Sequence, residues 1–100
     1  MKTYTVVLSP ELEGGYSVSC PATPGAVSQG DTRDGALANI AESMAAWCEV
    51  ATEHGDRPLD ETPALIAEQV AFVLGWKAEE GWPMLVETAA VQLPIAAAAA

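Results

Sequence analysis

The side chains best suited to catalysis or metal binding are few: one histidine, His54, two cysteines, Cys20 and Cys48, and fourteen carboxylates. A zinc site draws four N or S ligands from closely spaced His and Cys, so a lone histidine with no CxxC argues against one. Cys20 with His54 is the available nucleophile–base pair, and no spacing rule joins them. Cys20 instead falls on an alternating apolar run and Cys48 on an apolar helical stripe, where a thiol packs as a small hydrophobe. His54 falls in the last turn of a helix, where the dipole favours a cation. No catalytic, cofactor-binding or metal-binding residue is expected.

The carboxylates are better read together than singly. Fourteen Asp/Glu against four Lys/Arg leave a net charge of −10. Such a surface cannot neutralise several phosphates, which argues against direct nucleic-acid binding by the chain on its own. It steers a cationic protein partner instead. The acidic candidates are Glu11 and Glu13 on a hairpin, Asp31 and Asp34 at a helix start, and Glu42 and Glu49 on that helix's outer side. Trp82, between Gly81 and Pro83, is the tryptophan expected to be exposed and used in binding. Trp47 and Trp76 are expected to be mostly core.

These residues need a frame. Tyr4, Val6 and Leu8 alternate with Thr5 and Val7 in a first strand ended by Pro10. Gly14-Gly15 tips a hairpin, and Tyr16, Val18 and Cys20 alternate with serines in a second strand. Pro21 has no N–H for the ladder. Pro24-Gly25 makes a turn, Ala26 to Gln29 a short third strand, and Asp31 or Thr32 the N-cap of a helix. That helix, about Arg33 to His54, carries Leu37, Ile40, Ala41, Met44, Trp47, Cys48 and Ala51 at helical spacing. Gly55 and Pro58 stop it.

After a polar linker, Thr62-Pro63 starts a second helix that runs to about Glu80, with Gly81 beyond. Ile66, Val70, Val73 and Leu74 form one side, and Leu65, Phe72 and Trp76 widen it further than one core contact needs. A surface that apolar marks an interface, here self-association into a homodimer or larger. Met84 to Leu93 alternates as a last strand in which Glu87 shares the apolar face, so that face is wet there or near an edge. The expected fold is α+β: a small antiparallel sheet in the order β-β-β-α-α-β, with the long first helix packed on one face.

The order of Gly15, Tyr16, Pro21, Pro24, Gly25, Val27, Gly30, Asp31, Thr32, Ala36, Asn39 and Ile40 resembles the HicB family of bacterial antitoxins. The likeness spans about the first half of the chain. Thr23 and Ala26 stand where the family often has leucine and cysteine, and Gly35 replaces a capping-box glutamate. The resemblance implies a partial RNase H-like module that binds and masks a small basic HicA-like ribonuclease. An RNase H-type nuclease needs clustered carboxylates, one on the first strand, to hold Mg²⁺. Tyr4 to Leu8 contains no acid, so no enzyme activity is expected. A solitary, homo-oligomeric HicB-like protein without a toxin is the alternative.

Family members often carry a carboxy-terminal DNA-binding module. Residues 62–93 read as helix and strand instead, with Lys77 as their one basic residue, so direct operator binding is not expected. The expected organisation is one domain over residues 1–95 and an alanine tail over 96–100. The opening residues lack the apolar core of a signal peptide and no apolar stretch reaches membrane-spanning length, which points to a cytoplasmic protein.

Overall fold

A computed structural model describes residues 1–94; residue 95 and the alanine tail lie outside the described residues. The elements are β1 (Lys2–Pro10), β2 (Tyr16–Ser19), β3 (Val27–Gly30), α1 (Arg33–Glu53), α2 (Pro63–Glu80) and β4 (Glu87–Leu93). They build one four-stranded sheet in the order β3-β2-β1-β4, with every neighbouring pair antiparallel. The expected order and fold class hold.

Alternation along β1 decides what each face meets. Tyr4, Val6 and Leu8 point into the main core with Val18, Cys20, Ile40, Met44, Cys48, Val91 and Leu93, under α1. Val7 and Ser9 point the other way and are buried as well, because α2 lies across β1 on that face. The buried line of α1 is Ala36, Ile40, Met44, Cys48 and Ala51. Leu37 and Trp47, expected in this stripe, are only half-buried. Ala36 takes the inner place because α1 crosses directly over Gly30, where a Cβ would come within 2.4 Å of the Ala36 amide.

Both helices start as their sequences dictate. Thr32 accepts from the Gly35 amide and Thr62 from the Leu65 amide, each hydroxyl satisfying an otherwise orphaned N–H. Gly81, with φ of 70°, ends α2 in the left-handed region that glycine adopts without strain.

Two prolines interrupt the ladder, and beside each a distant charged side chain bonds the strand backbone. Val7 pairs with Ser19 in the β1–β2 register, which continued by two places sets Thr5 opposite Pro21. Pro21 has no N–H to give, so the Thr5 carbonyl takes the Cys20 thiol, at 3.6 Å. The Thr5 amide donates to the Glu61 carboxylate, which also accepts from the Thr5 hydroxyl at 3.1 Å. Leu8 pairs with Glu87 in the β1–β4 register, which continued sets Pro10 opposite Leu85. Here Lys77 supplies the donors, to the Leu85 carbonyl at 2.7 Å and the Pro10 carbonyl at 3.3 Å.

That second gap explains why β4 begins at Glu87 rather than at Met84 as expected. With no N–H on Pro10, the ladder cannot run back to Leu85, and Met84 and Leu85 remain exposed. Glu87 lies on an edge strand, where its carboxylate meets Arg33 at 3.0 Å.

The opposite edge is closed by α1. Asn39 donates to the Gln29 carbonyl at 2.7 Å, Ser43 to the Val27 carbonyl at 3.1 Å and Trp47 to the Pro24 carbonyl at 2.9 Å. One seam of the helix thus satisfies backbone acceptors along and just beyond β3.

Candidate functional site

The acidic residues gather first around the hairpin. The Glu11 amide bonds the Gly15 carbonyl at 3.0 Å and the Gly14 amide bonds the Glu11 carbonyl, closing the loop. Gly15, at φ of 79°, rests on β3 so closely that a Cβ there would lie 2.9 Å from the Gly30 carbonyl oxygen. This approach brings Glu11, Gln29, Asp31 and Asn39 around a polar hollow of about 340 Å³. Glu13 is exposed on the loop beside it and Asp34 in the first turn of α1. Glu42 and Glu49 are exposed farther along α1, seven residues apart and so on one side of the helix.

A second surface is apolar. Three adjoining depressions of about 310, 240 and 350 Å³ meet at Val27, which is 65% exposed. Phe72, 68% exposed, borders two of them. Leu59 and Leu65 extend the strip along one side, and Trp47 with Val50 along the other. Of the residues expected in a self-contact, Phe72 is free, whereas Leu65 and Trp76 are half-buried.

Trp82 departs from expectation. It is half-buried rather than exposed. Gly81 turns the chain so that the Trp82 amide donates to the Lys77 carbonyl at 2.9 Å. Its ring then meets Trp76 edge-on, with centroids 5.1 Å apart and planes at 72°, the arrangement favoured by aromatic quadrupoles.

Lys77 carries weight that its sequence reading as a basic residue missed. It is fully buried, and its ammonium donates to the Ser9 hydroxyl as well as to the Pro10 and Leu85 carbonyls. Burial away from water lowers its pKa. The signal was present: Lys77 follows Val73 by four and Val70 by seven, on the side of α2 that meets the sheet.

Cys20 and Cys48 are buried, and burial pushes both thiols up, the opposite of what a nucleophile needs. Beside them the Tyr4 hydroxyl is buried without a hydrogen-bond partner, as is that of Thr23. His54 is exposed at the C-cap of α1. Among the described residues no group of three His, Cys, Asp or Glu is placed to hold a metal ion, and no helix is long and apolar enough to cross a membrane. What the arrangement offers is contact: a carboxylate-lined hollow and an acidic helix side, with an apolar strip centred on β3.

Known proteins fit this picture. A family model described as the HicB_like antitoxin of bacterial toxin-antitoxin systems matches residues 4–80. A UPF0150 protein of Synechocystis sp. is 42% identical over 59 residues, covering 58% of this chain and 75% of the relative. Antitoxin HicB 1 of Photorhabdus laumondii subsp. laumondii is 59% identical over 34 residues, 34% of this chain and 22% of that protein. The crystal structure of the Burkholderia pseudomallei antitoxin HicB superposes with a TM-score of 0.64 at 25% identity, covering 97% of this chain and 67% of that one. That of its N-terminal domain alone gives 0.62 at 25% identity, covering 93% of this chain and 99% of the domain.

Proposed function

The chain belongs to the HicB_like antitoxin family of bacterial toxin-antitoxin systems, and we propose that it binds and masks a small, basic, HicA-like ribonuclease in the cytoplasm. It acts by occupancy, without catalysis: an acidic face laid over a cationic RNA-binding surface denies that surface to RNA.

The observation that carries this reading is the uncompensated charge. Of the four Lys and Arg residues, Lys77 is buried and Arg33 is paired with Glu87, the one ion pair among the described residues. Carboxylates at Glu11, Glu13, Asp31, Asp34, Glu42 and Glu49 are left to face a partner. Asp31 also serves the positive end of α1, so its loss would mix stability with binding. The apolar strip at Val27 and Phe72 gives such a contact a surface to desolvate. Trp82, half-buried beside Trp76, is the remaining aromatic candidate for that contact.

A second reading, a homo-oligomeric HicB-like module with no toxin, draws on the exposure of Phe72 and places Leu65, Phe72 and Trp76 in a self-contact. Direct operator binding by residues 1–94 has no support in so acidic a surface.

The test is co-expression with a HicA-like protein encoded beside the gene, then association rates against salt. Capture of that protein, with a rate that falls as ionic strength rises, is expected. Glu42→Lys with Glu49→Lys should slow association by about tenfold at low salt. No capture, or a salt-independent rate unchanged by the double reversal, would overturn the acidic contact.

A further inference from the structure

The apolar strip at β3 crosses the edge of the sheet from one helix to the other. Phe72, on α2, stands over two of its depressions, and Trp47 and Val50, on α1, wall the third. Val27, at the centre, is shared by all three. Val27, Val50 and Phe72 are each more than half exposed.

Exposed carboxylates rim the strip on both sides. Glu68 lines the depression beside Phe72 and lies one helical turn from it. On α1, Glu42 and Glu49 stand four and three positions from Ala46, and Glu53 stands three from Val50, which sets all three along the adjoining row. No Lys or Arg lines any of the depressions.

That rim selects the occupant. A second copy of the chain would bring the same carboxylates against it. A nucleic acid or an anionic membrane surface would bring still more negative charge. A cationic protein is the complement.

The sheet edge then selects the form of the contact. The Cys20 amide bonds the Ala26 carbonyl, so along β3 Ser28 and Gly30 address β2 while Val27 and Gln29 point outward. Both outward carbonyls are already taken, by Ser43 at 3.1 Å and by Asn39 at 2.7 Å. An added strand would meet amides without free acceptors and could not form a ladder in both directions. Side chains must make the contact instead, as they do when a helix lies in a groove.

We propose that an amphipathic helix of the toxin partner seats on this strip, with its apolar side chains in the three depressions and Lys or Arg along both flanks. Apolar side chains at i, i+4 and i+7 share one face of such a helix. The positions beside them bring cations to Glu68 on one side and to Glu42, Glu49 and Glu53 on the other. The inference rests on the reading of a basic toxin as partner, and adds the place and the form of the contact.

The test uses the full chain with the HicA-like protein encoded beside its gene. Val27→Asp with Phe72→Asp removes two exposed anchors and adds two negative charges. A purely electrostatic contact with a cationic partner would tighten in that variant. The seated helix instead requires a loss of about a hundredfold in affinity, at unchanged circular dichroism. Phe72→Ala adds no charge and should weaken binding by about tenfold. A photoreactive benzoylphenylalanine in place of Phe72 should cross-link to one helix of the partner, bearing Lys or Arg on either side of an apolar stripe. Undiminished affinity in both variants, or cross-links to a strand or to a second copy, would overturn the proposal. The acidic contact would then still stand if Glu42→Lys with Glu49→Lys slowed association. Failure of the wild-type chain to capture the toxin would overturn both readings together.

Discussion

The ammonium of Lys77 donates to the hydroxyl of Ser9, sixty-eight positions away in sequence, and so joins the second helix to the first strand beneath the protein surface. No carboxylate shares the site. The charge is held by a hydroxyl and two carbonyls, one of which, that of Leu85, lacks its ladder donor because Pro10 has no N–H. A buried cation so placed opposes folding through desolvation and supports it through the acceptors it satisfies.

Lys77→Ala should therefore cost about 2–4 kcal/mol, since it opens a cavity and orphans several acceptors together. Lys77→Met keeps the stem packed and sheds the buried charge, and should cost about 1–2 kcal/mol. Urea unfolding of both, with the ordering Ala worse than Met, is the check. Equal losses would mean that packing of the stem is irrelevant.

Glu61 holds the Thr5 amide beside the other proline and offers a cleaner comparison. Glu61→Ala leaves the Thr5 amide without its partner and should cost about 1–2 kcal/mol. Glu61→Gln keeps a carbonyl acceptor and should recover much of that loss. Thermal melts of the pair decide it, and Gln no better than Ala would count against this bond.

Met44 has no exposed surface, and its side chain lies at the centre of the α1–sheet core. Met44→Asp should destabilise by several kcal/mol, because an unpaired carboxylate would be buried or would stay protonated. An unchanged melting temperature would remove α1 from this face of the sheet.

Stability should fall at alkaline pH, with a sign fixed by the core. Cys20 and Cys48 are raised above an ordinary 9.0 and Tyr4 above 10.0, in each case chiefly by burial. The unfolded chain thus loses these protons first, and their contribution is lost as pH climbs from 9 through the folded values. Lys77, lowered from 10.5, acts oppositely and adds stability up to that pH. Cys20→Ala with Cys48→Ala should flatten the decline between pH 8 and 10 measured by urea unfolding. A slope identical to wild type would refute the assignment.

Much of this structure was legible because its punctuation is local. Thr32, Thr62 and Gly81 act on backbone groups within a turn, and the alternation of Tyr4, Val6 and Leu8 names a face without reference to the rest of the chain. Lys77 was not legible in the same way. Its burial depends on carbonyls at Pro10 and Leu85, which become acceptors only once the strand register is set. Trp82 was misjudged for a related reason, since its exposure hangs on the direction in which Gly81 turns the chain toward Trp76. Glu11 and Asp31 were both named, but their shared hollow needs Gly15 and Gly30 to touch, a contact between two strands that no periodicity encodes.

The seam of Asn39 and Ser43 on β3 works because two unlike repeats happen to keep step. Four residues of α-helix advance about 6.0 Å, and two residues of strand about 6.8 Å. Donors spaced by four on α1 therefore meet carbonyls spaced by two on β3, as Asn39 meets Gln29 and Ser43 meets Val27. Such a vernier tolerates substitutions one at a time, because each rung is lost alone. It does not tolerate a change of count. One residue inserted in α1 before Asn39 would swing every later donor by about 100° and unfasten the whole seam together. The length of α1, more than the identity of any residue along it, is what keeps that side of the sheet shut.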